Sequence, residues 1–476
     1  MKPSIVSSAR SVLRLVVATL LLASTSHAGA PFDAKNIKMQ PGGAYTIHGL
    51  SFGMALYDFS WRCVTQKALE TATGFPQTAS TTWETQGGLK SKSGGTPIRL
   101  QEKIERLGDG SFRATYHAEG LRDVPFNVLA LLVEMPVDSA AGKTIEVDGA
   151  PLAFPANPVD KPLLDKRGVR KVVLPAEGGT LTLEGNLSLF LQDARQWEIN
   201  LFRARIAMAA GGKTAADTAD LAVTITYKPF QSFPLSIASQ ANRGFRDDVA
   251  ADGKGGWTDQ GPDNDLSALQ PGPLRTGNIR FEVIDPARNQ GRSCLVLGGS
   301  NPKVLPSEAV LPLPGHPVLA NLYLLHAGAY IPSGKKSVGK IHVRYADGTA
   351  KEWEIVSNRD VGDWWGVSPL PNAAVGWIGK NASSDIGLYL SKFPLENKAV
   401  AEVRFTTIGE ATWMIAGVAG SPDEIPLAST FPLVIKPGAN WIPYEQKFQI
   451  QPGSVFDFSS LADAPAGKYG RLIATK

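Results

Sequence analysis

LTLEGNLSLFL, residues 181–191, decides how this chain is read. Leu181, Leu183, Leu187, Leu189 and Leu191 fall on every second position, mostly with polar or small residues between them. That period of two belongs to a β-strand with one face on a core and the other in water. Leu221, Val223, Ile225 and Tyr227 repeat the pattern. Ile145 and Val147 lead into Asp148-Gly149 and out through Leu152 and Phe154, which predicts a hairpin. Ile341, Val343 and Tyr345 predict a second one around Asp347-Gly348, returning through Trp353 and Ile355. Residues 318–326 are apolar on both faces, as in a central strand. Helical periodicity is scarce, with residues 66–73 the one short helix expected. No strand–helix alternation and no Rossmann fingerprint occur, which argues against a doubly wound sheet and a (β/α)₈ barrel. The expected fold is all-β: two jelly-roll-like β-sandwiches plus a Pro-rich C-terminal segment.

The rest of the composition agrees. The chain has 476 residues, 43% hydrophobic and 19% charged, with 48 Gly and 34 Pro. This is a globular protein with many turns, neither collagen-like nor disordered. Lys2, Arg10 and Arg14 precede a short apolar run at residues 15–23, and Ser26-His27-Ala28 supplies small residues at −3 and −1. Residues 1–28 therefore read as a secretory signal peptide cleaved after Ala28, and the protein as periplasmic or extracellular. Removing three cations lowers the formal charge from +4 to +1, so bulk charge makes no case for nucleic acid. No later run is apolar enough for a membrane span. The sequence carries no sign of oligomeric state. Export permits a Cys63–Cys294 disulfide, but the spacing does not require it, and two buried thiols are the plainer reading.

Residues 31–230 hold the first run of strands, and the Pro-flanked segment 229–234 marks a boundary. Residues 235–420 form the second module, and residues 421–476 an extension with strand-like patches at 431–435 and 448–450. The most unusual stretch is NRGFRDDVAADGKGGWTDQGPDNDL, residues 242–266, with six Asp, five Gly and one Trp. Two readings stand side by side. Its turn-formers suit a long solvated loop of Asx turns. A loop this long in a compact domain also suits ligand binding. In that second reading Asp247, Asp248, Asp259, Asp263, Asn264 and Asp265 exchange hydrogen bonds with sugar hydroxyls while the Trp257 face stacks on a pyranose. Asp259, Asp263 and Asp265 also offer hard oxygen ligands for calcium, without an EF-hand pattern. Six of the ten Trp fall in residues 235–420. Trp364 and Trp365 cannot both point inward on a strand, so one is expected outside, as a stacking platform or a contact between modules.

Catalytic motifs are weak. Gly49-Leu50-Ser51-Phe52-Gly53 matches the nucleophile elbow, but no helix pattern follows it, so a turn is the plainer reading. Asp263/Asp265, Asp247/Asp248 and Asp360/Asp363 are carboxylate pairs by loop position alone. His326 reads as a satisfied core residue; His117 and His342 lie in strands.

Residues 242–413 resemble a carbohydrate-binding β-sandwich module of secreted bacterial carbohydrate-active proteins. The likeness rests on residues 242–266, then FEVIDPARNQGRSCLVLGG, LYLLHAGAY and RYADGTAKEWEIVSNRDVGDWW. The flanks resemble the region before a cellulase-like barrel: LQDARQW within residues 109–227, and the tail FQIQPGSVFDFSSLADAPAGKYGRLIATK. The sequence stops at Lys476, where such a barrel would begin, so the resemblance implies a glycan context and transfers no catalytic residue. The expectation is a secreted, non-catalytic polysaccharide-binding protein, with no cofactor unless calcium. Its rivals are a glycoside hydrolase or polysaccharide lyase working from a sandwich cleft, and a structural or interaction protein.

Overall fold

The computed structural model describes residues 37–73, 82–108, 110–122, 124–211, 216–298, 305–408, 411–432 and 455–457. The expected signal peptide and the patch at 448–450 lie outside them. The described chain is all-β in class, its regular structure almost entirely strand, in large antiparallel sheets with a sandwich-like build.

The stretch that opened the analysis lies in the strand Gly179–Asp193, whose odd positions from Leu181 to Leu191 are buried except Gly185. One edge pairs throughout with Leu164–Ala176. The other pairs with Thr218–Pro229 through Gly179–Gly185, then with Leu201–Ala210 through Leu189–Asp193. A single strand thus serves two layers, and the change of partner falls just after Gly185. The resulting sheet runs from Ile37–Met39 through Leu50–Tyr57, Val128–Pro136 and Leu201–Ala210, then on to Ser111–Glu119, Ile98–Gly108 and Thr82–Leu89. It encloses a core that includes Phe52, Phe112, Leu131, Leu183 and Ile225.

The second sheet repeats the device with Asp385–Thr407. This strand pairs with Val318–Ala329 through Tyr389–Ala399, then with Ser337–Tyr345 through Val400–Thr407. Val318–Ala329 is buried on both faces for most of its length, as expected of a central strand. A separate core gathers Leu235, Phe281, Leu324, Phe405 and Trp413. Between the cores, Asp423 accepts from Lys228 Nζ (3.1 Å) and from the Gln231 N–H (2.8 Å), which ties the segment after the last long strand to the connection.

Both predicted hairpins are present. Asp148 and Gly149 turn with φ of 51° and 80° between Thr144–Val147 and Ala150–Ala153. The second pairs Ser337–Tyr345 with Ala350–Val356. His326 is buried, shares a hydrogen bond with Ser391 Oγ (2.9 Å) and accepts from Trp413 Nε1 (2.9 Å); burial pushes its imidazole down to about 4. One expectation is corrected, and two alternatives left open by the sequence are decided. Residues 66–73 form a 3₁₀ turn at Gln66–Ala68 and then the strand Glu70–Thr73. The cause is tertiary: the buried Gln66 side chain accepts from the Met54 N–H and donates to Glu102, both at 2.8 Å. Ser51 lies within the strand Leu50–Tyr57, so no elbow exists there. Both cysteines are free, which is the plainer reading, with Cys294 buried in the second module but Cys63 only half-buried in the first.

Candidate functional site

Asn242 fixes the start of the Asp-rich loop. Its amide donates to the Val296 carbonyl and accepts from the Val296 N–H, both at 2.9 Å. Thereafter the loop folds on its own acids. Asp247 Oδ2 accepts from the Gly261 N–H (2.8 Å), and Asp265 Oδ2 accepts from the Asp247 N–H (3.2 Å). Asp259 takes the Asp252 and Gly253 N–H groups at 3.1 and 3.0 Å. Asp265 Oδ1 takes the Ser267 N–H and hydroxyl at 3.0 and 2.6 Å. Short acidic side chains here do what Asx turns do, but facing inward.

This inward folding corrects the sugar-binding assignment for several residues. Asp247, Asp259 and Asp265 are buried, and their oxygens are largely committed to loop N–H groups. Trp257 is fully buried, edge-on to Trp364 with ring centroids 5.2 Å apart, and Trp364 is buried too. Neither indole face is free to stack. The glycines act opposite to expectation: a Cβ on Gly256 would lie 2.5 Å from Asp247 Cβ. Its bare backbone lets the chain pass beneath Asp247 and turns the indole into the core. Asp248 stays exposed and pairs with Arg246 (2.8 Å); Asp263 is exposed on the turn Pro262–Asn264, and Asn264 is half-buried.

The tryptophan pair splits as expected, with Trp364 inside and Trp365 43% exposed, but on a bent segment outside any strand, where the two ring centroids lie 6.0 Å apart. Trp257 and Trp364 belong to the second module's own core and do not sit between modules. A second exposed aromatic, Tyr330 at 40%, was missed. Its signal was a tyrosine closing a long apolar strand, directly before turn-forming Pro332, Ser333 and Gly334. The segments that carry the two rings run side by side: the Gly328 N–H donates to the Gly362 carbonyl (2.9 Å) and the Trp364 N–H to the Gly328 carbonyl (3.0 Å). The Asp loop joins them through Gln260 Nε2, which donates to the Tyr330 hydroxyl (3.1 Å). Asp363 Oδ1 holds the Trp365 N–H (3.0 Å), and burial pushes this carboxyl above its usual range. Asp360, by contrast, is spent on structure: it accepts from the Val356 N–H, Arg359 and Asn372.

A cation would find a different trio from the one read in the sequence. Asp247, Asp252 and Asp259 bring one carboxylate oxygen each to within 4.8 Å of one another. Asp263 stands outside this group, and Asp265 is occupied by Ser267 and the Asp247 N–H. Asp247 Oδ1, Gln260 Oε1 and Asn264 Oδ1 are buried without a hydrogen-bond partner. The carboxylate trio is oxygen-only and includes Asp247, one of whose oxygens is buried and unpartnered, and such a set matches a hard divalent ion.

No protein-family profile matches the chain, and no curated protein matches it. Among solved structures, the ANX2 ectodomain and the ANXUR2 extracellular domain, both from Arabidopsis thaliana, align at 10% identity. Each alignment covers 76% of this chain and 93% of theirs, with TM-scores of 0.10 and 0.11. A likeness this faint carries no argument.

Proposed function

We propose that the chain is an exported, non-catalytic carbohydrate-binding protein, and that the edge of its second module carrying Trp365 and Tyr330 is the binding surface. The observation that supports this reading is the pair of solvent-open rings mounted on a rigid base: Trp365 backs onto the buried Trp364, and Tyr330 is held by Gln260. A flat aromatic face stacks on the apolar C–H side of a pyranose ring, while the Tyr330 hydroxyl and the exposed Asp263 supply hydroxyl partners. The recruited aromatic is thus Trp365 in place of Trp257.

Stacking of this kind contributes on the order of 1–3 kcal/mol, by analogy with bases on aromatic rings. Trp365→Ala is therefore expected to weaken polysaccharide affinity by roughly 5- to 150-fold. Because the ring is exposed, the melting curve should stay in place. Affinity electrophoresis across a polysaccharide panel, with calorimetric melts of the same samples, makes the measurement. Equal retention of variant and parent, or a parent retained by no polysaccharide, sinks the reading.

We also propose calcium for the Asp247, Asp252 and Asp259 carboxylates, as a brace for this loop. Like charges converging around an unpartnered buried oxygen are the support for it. After chelation, added calcium is expected to raise the melting temperature. At free calcium about 100-fold above Kd the gain is about 2.7 kcal/mol. Asp252→Asn, at an exposed position, should remove most of that gain without unfolding the module. Identical melts in chelator and in calcium would rule the ion out.

A further inference from the structure

The first module carries its own aromatic platform, on the sheet face opposite its core. Residues 57–63 read Tyr-Asp-Phe-Ser-Trp-Arg-Cys and join the strands Leu50–Tyr57 and Cys63–Thr65. Phe59 and Trp61 at the tip are 60% and 55% exposed. Such a tip is costly unless something holds it, and Trp61 has φ of 59°, which a bulky residue rarely adopts. Asp58 holds it from beneath. Fully buried, it accepts from the Ser60 and Arg62 N–H groups (2.9 Å each), from Arg62 Nε and from Ser93 Oγ (2.8 Å each). The Trp61 N–H closes the turn on the Asp58 carbonyl (2.9 Å). Strain kept in place by so many bonds, at an exposed aromatic, is the kind that marks ligand sites.

Behind the indole lies an uncompensated charge. The Arg205 guanidinium sits 4.8 Å from the Trp61 ring, 4.2 Å from Phe190 and 5.4 Å from Tyr57. It is only 8% exposed. Among the described residues its one hydrogen bond goes to Gln192 Oε1 (3.2 Å), its Nε has no partner, and it forms no ion pair. Asp165 acts on it electrostatically without reaching ion-pair distance. Arg203, one pleat away on the same face, is by contrast neutralised by Glu134 (2.8 Å). Beside the hairpin opens a cleft of about 310 Å³, lined by Tyr57, Cys63, Thr65, Glu134, Arg203 and the exposed Lys92. The site thus combines open rings with an excess of positive charge.

We propose that this hairpin and its cleft bind a carboxylate-bearing saccharide, a uronic-acid unit of a polysaccharide, with the sugar ring on Trp61 and Phe59 and its carboxylate toward Lys92, while the buried Arg205 behind the indole adds to the positive field. The rings select a flat, partly apolar partner and the cations select an acidic one. Uronate satisfies both: its ring has an apolar face for the indole, and its carboxylate is a compact charge for the Lys92 ammonium. This site is separate from Trp365 and Tyr330, so either can fail alone.

The test uses the full chain carrying Trp365→Ala, with polygalacturonate as the probe and xylan and dextran sulfate beside it. Polygalacturonate is expected to bind this background, and more weakly as salt rises. Adding Trp61→Ala should cut the affinity by roughly 5- to 150-fold with an unchanged melt. Lys92→Glu should cut it by roughly 3- to 10-fold and flatten the salt dependence. Should Trp61→Ala disturb the hairpin, Phe59→Ala at the tip reads the same stacking and should also weaken binding. No affinity for polygalacturonate, full affinity in both aromatic variants, or stronger binding of dextran sulfate would each overturn the proposal.

Discussion

Trp257→Ala is expected to lower the melting temperature of the second module by roughly 6 to 20 °C while the first module melts where it did. The indole is fully buried and meets Trp364 edge-on at 5.2 Å, and the Asp-rich loop closes over it. Truncating a buried tryptophan costs about 3–5 kcal/mol, because the lost transfer energy is joined by the cavity left behind. For a module of about 190 residues each kcal/mol moves the midpoint by about 2–4 °C. Against a total stability of about 5–15 kcal/mol, that is a large share. Trp257→Phe separates volume from polarity. The indole N–H has no acceptor, so phenylalanine forfeits no hydrogen bond and should cost far less than alanine. Differential scanning calorimetry of the two variants reads both numbers. An unchanged melt in Trp257→Ala would mean that the ring is not part of the core, and would return the stacking role to it.

The same residue shows where sequence reading succeeds and where it stops. Period-two alternation from Leu181 to Leu191 is a local signal, and the strand Gly179–Asp193 follows it with its odd leucines inside. That this strand changes partner after Gly185 depends on strands further along the chain, which no local pattern reports. The inside/outside split of Trp364 and Trp365 was legible, though its premise of a regular strand was not met: the segment bends, and the two rings stay 6.0 Å apart. Within residues 242–266 no period exists, so glycine freedom could be read as turning Trp257 outward as easily as inward. Contact with Asp247 and Trp364 decides it. The first-module platform was illegible for a related reason. Trp61 looks like any loop aromatic until Arg205, from a strand far along the chain, arrives behind it. Gln66 was read as part of a helix, whereas its amide is fully used in bridging Met54 and Glu102.

Glu102 leads to the other large expected effect, a stability of the first module that falls as pH rises from about 4.5 to about 8. Its carboxyl is buried in the strand Ile98–Gly108, opposite Tyr116, whose hydroxyl is within 3.1 Å of the Tyr45 hydroxyl. Gly43, with φ of 88°, approaches so closely that a Cβ there would lie 2.6 Å from Glu102 Oε2. Among the described residues the only side-chain amide reaching the carboxyl is Gln66, and Oε1 has no partner. Burial therefore dominates and pushes the group from 4.5 up to about 8, with Gln66 and Tyr116 opposing weakly. Below pH 4.5 the folded and unfolded chains both hold the proton. Between 4.5 and 8 only the folded chain holds it, so each unit of rising pH removes about 1.4 kcal/mol of stability. Above 8 both have lost it and the slope vanishes. Across that window the loss is on the order of 4–5 kcal/mol. Glu102→Gln keeps the shape and the amide contact but cannot ionise. The variant should match the parent near pH 4 and exceed it increasingly up to pH 8. Taking the difference between variant and parent cancels the module's other titrating groups, His48 among them, whose imidazole is lowered by burial and acts with the opposite sign. Urea titrations at a series of pH values give that difference directly. A gap between parent and variant that stays constant with pH would show that Glu102 ionises in the folded chain as readily as in the unfolded one.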